Sequence, residues 1–207
     1  MSLNAELIHP SRTAVIVIDV QNDFCHPNGA FKELGLDFSM VPDMMSNLRR
    51  LLPSARSRGV PVIFIQTLHE KATDSAAWTG RQGGVASGIC RTGTWGAEFY
   101  EIAPEEDDIV VVKHRYSAFI HTRLESVLRT LKAETLILTG ITTNVCVEST
   151  ARDGFMLDYN VVLAPDACAT YNRAAHEATL YNIRGFFGTV ADTQDVIDIW
   201  ENPGLNR

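Results

Sequence analysis

The sequence predicts an α/β protein with three layers, in which a doubly wound, mostly parallel sheet of about six strands carries helices on both faces. Two observations predict this class. Short runs rich in Val and Ile alternate along the chain with longer segments whose apolar residues recur at helical spacing. Several of the short runs are apolar almost throughout, which is typical of strands covered on both faces of a parallel sheet. No linker, internal repeat or low-complexity segment interrupts the alternation, so we expect a single domain over residues 1–207.

The first half of the chain contains three predicted strands and one helix. The first strand is a nearly continuous β-branched run that ends in an aspartate, Asp19. The helix has Met and Leu at helical spacing between Pro42 near its start and Gly59 at its end. A connection rich in small residues follows the second strand, and connections of that length are usually lids or binding loops. In order, these elements are strand 13–20, helix 41–59, strand 61–67, connection 68–96 and strand 109–113.

The second half continues the alternation. An apolar run breaks at Thr139 and Gly140, and a segment of small residues suited to a helix resumes after the break. Pro165 and Asp166 are expected to end the following strand. The predicted elements are helix 123–131, strand 136–139, a helix that reaches about residue 157, strand 160–164, helix 174–183, a short strand 188–191 and helix 195–200.

Composition narrows the functional class. The formal net charge of -7 argues against nucleic acid or an anionic membrane as partner and says nothing finer about the substrate. The four cysteines are widely spread without C-x-x-C spacing, so we expect reduced thiols and a cytoplasmic protein. The first residues lack the pattern of a signal peptide, and no apolar run approaches the length of a membrane span.

Three reactive side chains lie at or just beyond the carboxyl ends of predicted strands. Asp19 follows the first strand, Lys113 ends the third and Cys146 follows the fourth. Because these ends share one edge of a parallel sheet, we expect the three side chains to converge in one cleft. They supply a thiol nucleophile, a carboxylate base and a cation, which is the set that thiol catalysis needs.

Cys146 is also predicted to lie near the first turn of its helix. The positive end of the helix dipole would lower the pKa of the thiol there, and free backbone N–H groups could bind an oxyanion.

Each of these signals has a more ordinary interpretation when taken singly. A cysteine among apolar residues is usually a small buried hydrophobe, and a strand-end aspartate or lysine is usually a turn residue or a solvated terminus. Among the histidines, His114 is the best alternative base, because it follows Lys113. The coincidence of three reactive groups at one sheet edge favours the catalytic interpretation.

With these residues in view, the chain resembles the isochorismatase-like superfamily of cysteine hydrolases. The matching pieces are Ala14–Phe24 (AVIVIDVQNDF), Val112–Phe119 (VKHRYSAF) and Gly140–Gly154 (GITTNVCVESTARDG). Within that superfamily the likeness is greatest to ureidoacrylate amidohydrolases, with biuret and triuret hydrolases and N-carbamoylsarcosine amidases as relatives. Residues 66–98 follow those amidohydrolases least.

The resemblance implies an Asp-Lys-Cys triad carried onto Asp19, Lys113 and Cys146. It also implies a cis peptide bond between Ile141 and Thr142 and an oxyanion hole formed by the N–H groups of Thr142 and Cys146. The implied activity is hydrolysis of a small ureido or carbamoyl amide through a thioester. We add Asn22, Phe24 and Tyr116 as expected substrate contacts.

The resemblance also bears on cofactors and assembly. Nicotinamidases of the superfamily bind a metal through Asp-x-His after the second strand, where this chain reads Gln66-Thr67-Leu68-His69, so no metal and no other cofactor is expected. The members are commonly homo-oligomers, dimers or tetramers. Three alternatives stay open: a different small amide as substrate, a thiol redox sensor built on Cys146, and a non-enzymatic binding module.

Overall fold

The computed structural model describes residues 3–81 and 88–202, and its centre is one parallel six-stranded sheet. The predicted α/β class is therefore confirmed, with every pairing parallel. The strands are β1 (Thr13–Ile18), β2 (Val62–Thr67), β3 (Ile109–Lys113), β4 (Thr135–Ile141), β5 (Asn160–Ala169) and β6 (Thr189–Val190).

Helices cover both faces of this sheet. The helices are α1 (Asn22–Cys25), α2 (Ala30–Glu33), α3 (Val41–Ser57), α4 (Ala76–Thr79), α5 (Leu124–Leu131), α6 (Glu148–Met156), α7 (Arg173–Asn182) and α8 (Thr193–Glu201). Helices α3 and α8 share one apolar core with the sheet, while α5, α6 and α7 share the other. None of the helices in the described parts of the chain is long and apolar enough to cross a membrane.

Strand β1 shows why its nearly unbroken apolar run is required. Val15 and Val17 face the core that contains α3, whereas Ile16 and Ile18 face the core that contains α5 and α6. All four side chains are fully buried. A central strand therefore needs apolar residues at successive positions, because both of its faces are covered.

The strand order is β3-β2-β1-β4-β5-β6. Strands β2 and β3 are added in turn on one side of β1. The chain then crosses back, and β4, β5 and β6 are added in turn on the other side of β1. The reversal lies between β1 and β4. In open α/β sheets, ligands bind outside the carboxyl ends of the strands at such a reversal.

The structure corrects the prediction for two of the elements. Strand β5 does not end at Pro165 but continues to Ala169, and its register against β4 shifts between Leu138 and Gly140. Proline, which cannot donate to the ladder, is tolerated at such an irregularity. The segment around Cys146 is a π-helix, Thr143–Val147, that continues into α6.

Several short elements were not predicted. Helices α1 and α2 lie between β1 and α3, where no element was predicted, and α4 lies within the connection 68–96. Each of these helices has four residues, too few for a helical period to show in the sequence. Residues 82–87 of that connection lie outside the described residues.

Candidate active site

Asp19 is the first residue after β1, and its carboxylate is completely buried. The backbone at Asp19 has a φ of 55°, and its N–H donates to the carbonyl of Ile65. One carboxylate oxygen, Oδ1, accepts a hydrogen bond from the hydroxyl of Thr67 at 2.8 Å. The other, Oδ2, lies 2.8 Å from Nζ of Lys113.

Lys113, the last residue of β3, has three acceptors around its ammonium group. These are Oδ2 of Asp19 at 2.8 Å, the backbone carbonyl of Arg115 at 3.0 Å and Sγ of Cys146 at 3.6 Å. Burial is the largest single influence and lowers the pKa of Lys113, but the charges of Asp19 and Cys146 and the hydrogen bonds to both together outweigh burial, so the pKa lies above its ordinary value. The lysine therefore stays cationic although only 1% of its surface is exposed.

Cys146 lies in the π-helix after β4, with 8% of its surface exposed. The expected lowering of the thiol pKa is wrong. Burial raises the pKa of Cys146 to about 12, the charge of Lys113 opposes that rise, and the charge of Asp19 adds to it. Desolvation of the thiolate thus outweighs the charge of Lys113, and a thiol with such a raised pKa is protonated at neutral pH.

The backbone between β4 and the π-helix contains the cis peptide bond that the resemblance implied, between Ile141 and Thr142. Gly140 precedes it with a φ of 105°, and a Cβ there would lie 2.1 Å from the carbonyl oxygen of Ile18. Close packing against β1 therefore requires glycine at this position. The carbonyl of Thr142 accepts hydrogen bonds from the N–H groups of Val145 and Val147.

A cavity of about 120 Å³ opens beside the thiol. Pockets that hold drug-sized ligands measure about 300–1,000 Å³, so this one suits a small molecule. Its lining includes Lys113, Cys146 and both residues of the cis bond, together with Phe24, Phe31, Thr67, His69, Trp78, Ile89, Arg115, Tyr116 and Val145.

The structure thus brings Asp19, Lys113 and Cys146 together at the reversal point, as expected from the strand ends. Phe24 and Tyr116, predicted as substrate contacts, both line the cavity. Asn22 does not line it, and its amide instead donates to the carbonyl of Trp95 at 2.8 Å.

His114, the alternative base, is occupied elsewhere. Its Nδ1 pairs with the carbonyl oxygen of Leu68 at 2.7 Å, and His114 does not line the cavity. The other cysteines, Cys25, Cys90 and Cys168, are buried, free and outside the cavity lining.

Four lining residues whose side chains can form hydrogen bonds were not predicted: Thr67, His69, Trp78 and Arg115. Thr67 had a usable signal, because it ends a strand at the same sheet edge as the triad. Trp78 and Arg115 are placed by tertiary packing, which no local pattern records. Among the residues the structure describes, no cluster of His, Cys, Asp and Glu side chains is suited to holding a metal ion.

Comparison with known proteins identifies the family that the chain matches. Residues 13–195 match the family of the isochorismatase domain. Ureidoacrylate amidohydrolase RutB of Acinetobacter baylyi is 34% identical over 93% of this chain and 85% of its own, and RutB of Serratia proteamaculans is 37% identical over 88% and 80%. The crystal structure of a cysteine hydrolase from Pseudomonas syringae pv. phaseolicola superimposes with a TM-score of 0.87 at 33% identity, covering 97% of this chain and 98% of that one.

Proposed function

Because the chain belongs to the isochorismatase family and hydrolyses carbon–nitrogen bonds of small amides, we propose that it is a cysteine-dependent amidohydrolase of ureido or carbamoyl compounds. The likeness to ureidoacrylate amidohydrolases supports this substrate class. We include biuret and triuret in the proposal as ureido compounds of similar chemistry. The observation that carries the proposal is the contact set of Lys113, whose Nζ lies 2.8 Å from Asp19 and 3.6 Å from the sulfur of Cys146.

The first step is proton transfer from the Cys146 thiol to Asp19. Because the resting thiol is neutral, the proton leaves as sulfur attacks the carbonyl carbon, so the thiolate does not accumulate. Lys113 lies within reach of both partners and keeps its charge through the step. It can therefore stabilise the negative charge as that charge moves from Asp19 to sulfur.

The tetrahedral intermediate needs donors for its oxyanion. We assign this role to the backbone N–H groups of Thr142 and Cys146, because both residues line the cavity beside the sulfur. Removing one such donor costs about 3–4 kcal/mol of transition-state stabilisation in other hydrolases.

Collapse of the intermediate completes acylation. Asp19 returns its proton to the leaving nitrogen, the carbon–nitrogen bond breaks, and a thioester remains on Cys146. For a urea this is a carbamoyl thioester. Water then attacks the thioester while Asp19 accepts its proton, which passes to the sulfur as the acid leaves.

Within this mechanism Phe24 and Tyr116 are the proposed substrate contacts in the cavity lining. Asn22 contributes indirectly, since its bond to the Trp95 carbonyl holds the end of the connection 68–96. A direct contact between Asn22 and substrate stays a prediction.

The rival functions differ in chemistry. Another small amide, such as an N-carbamoyl amino acid or nicotinamide, would use the same triad. A redox sensor would need an accessible thiol of low pKa. Burial instead raises the pKa of Cys146, which disfavours the sensor.

The experiment is to mix the protein with ureidoacrylate, biuret, triuret and nicotinamide, following ammonia release and the intact mass at short times. We expect release from a ureido compound together with an acyl adduct on Cys146. The Cys146→Ala variant should form no adduct and lose roughly 10⁴–10⁶-fold in kcat. Cys168→Ala is the matched control, since that thiol is buried outside the cavity and should keep the adduct. Turnover by Cys146→Ala at the parent rate would overturn the proposal.

We also propose that the protein is a homo-oligomer, a dimer or a tetramer. Supporting this, Phe155, Met156 and Phe186 are 44%, 74% and 66% exposed and line one open depression of about 530 Å³. Light scattering should show more than one subunit, and Phe186→Glu should lower the mass. The control is Ile120→Glu, which changes an exposed apolar residue outside the depression. This variant should leave the mass unchanged. A monomeric parent protein would refute the assembly.

A cytoplasmic location is the last part of the proposal. All four cysteines are free and buried, which fits a reducing compartment. Fractionation of cells that produce the native chain would test the location, and recovery outside the cytoplasm would contradict it.

A further inference from the structure

The cavity beside Cys146 has an asymmetric charge. Its described lining contains two permanent cations, Lys113 and Arg115, and no Asp or Glu. The charge of Lys113 is balanced by Asp19 behind the lining. No ion pair is formed by Arg115 within the described parts of the chain, so its positive charge is available to the cavity.

Arg115 is held in place through one end of its guanidinium group. Its Nη1 donates to the carbonyls of Thr73 at 3.2 Å and His114 at 2.6 Å. The guanidinium carbon lies 5.3 Å from the centre of the Trp78 ring, in a cation–π contact. Neither Nε nor Nη2 has a hydrogen-bond partner among the residues described, and these two groups form the edge that matches a carboxylate.

Trp78 supplies a second donor without a partner. Its indole Nε1 is buried and makes no hydrogen bond to any described residue. The ring packs against Tyr116 and His69, each at 4.9 Å between ring centres, which fixes its orientation. Leaving a buried N–H unpaired costs about 1–3 kcal/mol, which a bound acceptor would offset.

His69 adds a third unpartnered group to the same wall. Only 3% of its surface is exposed, and its Nδ1 has no partner within the described residues. Burial lowers the pKa of His69 to about 4, and the charge of Lys113 lowers it further, so the ring is neutral at pH 7. A neutral imidazole can donate or accept one hydrogen bond at this nitrogen.

We propose that Arg115 and Trp78, with His69 beside them, form a subsite that binds a carboxylate on the substrate. The inference rests on the proposed function and narrows it, because the substrate becomes a ureido or carbamoyl acid and not a neutral urea. The scissile carbonyl lies at Cys146, and the carboxylate lies against the guanidinium edge and the indole N–H. Arg115 and Trp78 are thus specificity-determining residues.

The test measures binding in the Cys146→Ala background, where turnover does not interfere. The probes are 3-ureidoacrylate and its uncharged primary amide, and calorimetry gives the ratio of their dissociation constants. We expect the acid to bind at least about tenfold more tightly, the range for hydrogen bonds to a charged group. Adding Arg115→Gln should bring the ratio to within about threefold of one.

A second variant guards against misfolding of Arg115→Gln, since that arginine also holds two backbone carbonyls. Trp78→Phe keeps an aromatic ring at this position and removes the N–H together with part of the ring, and it should reduce the ratio by about three- to tenfold. Arg129→Gln is the matched control, because it removes the same charge from an exposed position on α5, and it should keep the ratio.

Equal binding of acid and amide in the Cys146→Ala protein overturns the subsite, as does a ratio that survives both Arg115→Gln and Trp78→Phe. Failure of the proposed function is separable. If biuret is turned over in a Cys146-dependent way but acid and amide bind equally, the hydrolase proposal stands and the carboxylate subsite is rejected. If the acid binds much more tightly but the parent protein turns over no ureido compound, the subsite stands and the hydrolase proposal is rejected.

Discussion

The Lys113 ammonium donates to the carbonyl of Arg115 and to the sulfur of Cys146, and it forms an ion pair with a carboxylate oxygen of Asp19. A buried ion pair is a poor source of stability, because the cost of desolvation offsets its Coulomb attraction. This arrangement of the ammonium is therefore better explained by chemistry. It holds the cation at one distance from the proposed base and at another from the proposed nucleophile.

Thr67 supports the same arrangement from the other side, which gives the first prediction. Thr67→Val removes the hydroxyl bonded to Oδ1 of Asp19 and leaves a buried carboxylate oxygen unpaired. We expect the free energy of unfolding to fall by about 1–3 kcal/mol. We also expect kcat to fall by roughly tenfold, because the base loses one of its two fixed contacts.

Thr139→Val is the control for this prediction. Its hydroxyl is equally buried but bonds the carbonyl of Ile16, away from the carboxylate. Urea unfolding and initial rates on both variants separate the effects. Loss of stability with an unchanged kcat in Thr67→Val would show that the Thr67 contact is only structural.

At this scale, part of the site could be predicted from the sequence. Asp19, Lys113 and Cys146 were predicted to converge because parallel strands end at one edge, and the structure brings them together. The positions of the donors Trp78 and Arg115 depend on packing between distant segments. The direction of the Cys146 pKa shift was wrong because the extent of burial cannot be read from the residues around it.

Among the elements, the junction of β4 with the π-helix is the most constrained. Gly140 packs so closely on β1 that a Cβ would lie 2.1 Å from the Ile18 carbonyl oxygen. The two residues after it line the cavity, and Cys146 follows within the π-helix. Any shift of this junction therefore moves the nucleophile relative to Asp19, which β1 positions.

The second prediction concerns that junction. Gly140→Ala should destabilise the fold by about 3 kcal/mol or more, because a backbone clash adds to the cost of roughly 1–2 kcal/mol for a side chain at positive φ. Activity per folded molecule should fall as well. Denaturant unfolding and active-site titration would measure both.

Gly35→Ala separates the cost of the backbone clash from the cost of a side chain at positive φ. Gly35 also has a positive φ, 74°, but a Cβ there would meet nothing within 4 Å. It should cost only about 1 kcal/mol and leave kcat unchanged. Equal losses in the two variants would show that close packing at Gly140 is unimportant.

The elements also show where periodicity fails as a predictor. Strands β1 to β3 and helices α3 and α5 were predicted within a few residues, because each has a full apolar period. The π-helix was predicted only as helix, since its wider turn depends on packing. The extension of β5 past Pro165 depends on its pairing with β4, which the sequence does not display.

At the scale of the whole molecule, all four thiols are buried. Burial raises the pKa of Cys25, Cys90, Cys146 and Cys168 above the ordinary value of 9.0. Above that pH the unfolded chain loses these protons while the folded chain keeps them. The folded state then binds more protons, so the free energy of unfolding must fall as pH rises.

The third prediction follows from this difference. With reductant present, the free energy of unfolding should decrease between about pH 8 and pH 11, by up to about 1.4 kcal/mol per pH unit for each thiol ionised only in the unfolded chain. Urea melts across that interval measure the slope. Cys168→Ala should make it shallower by one thiol's share, and a slope that is flat in both proteins would contradict the buried-thiol account.

The burial of the Cys146 thiol also affects how readily the protein is oxidised or alkylated. Peroxide and alkylating reagents attack thiolates, so a thiol that ionises only as a carbonyl arrives presents little for them to attack. In the proposed mechanism, the burial that makes Asp19 take the proton of Cys146 during turnover also protects the resting thiol from these reagents. We therefore expect the protein to keep its activity during exposure to air in the absence of substrate.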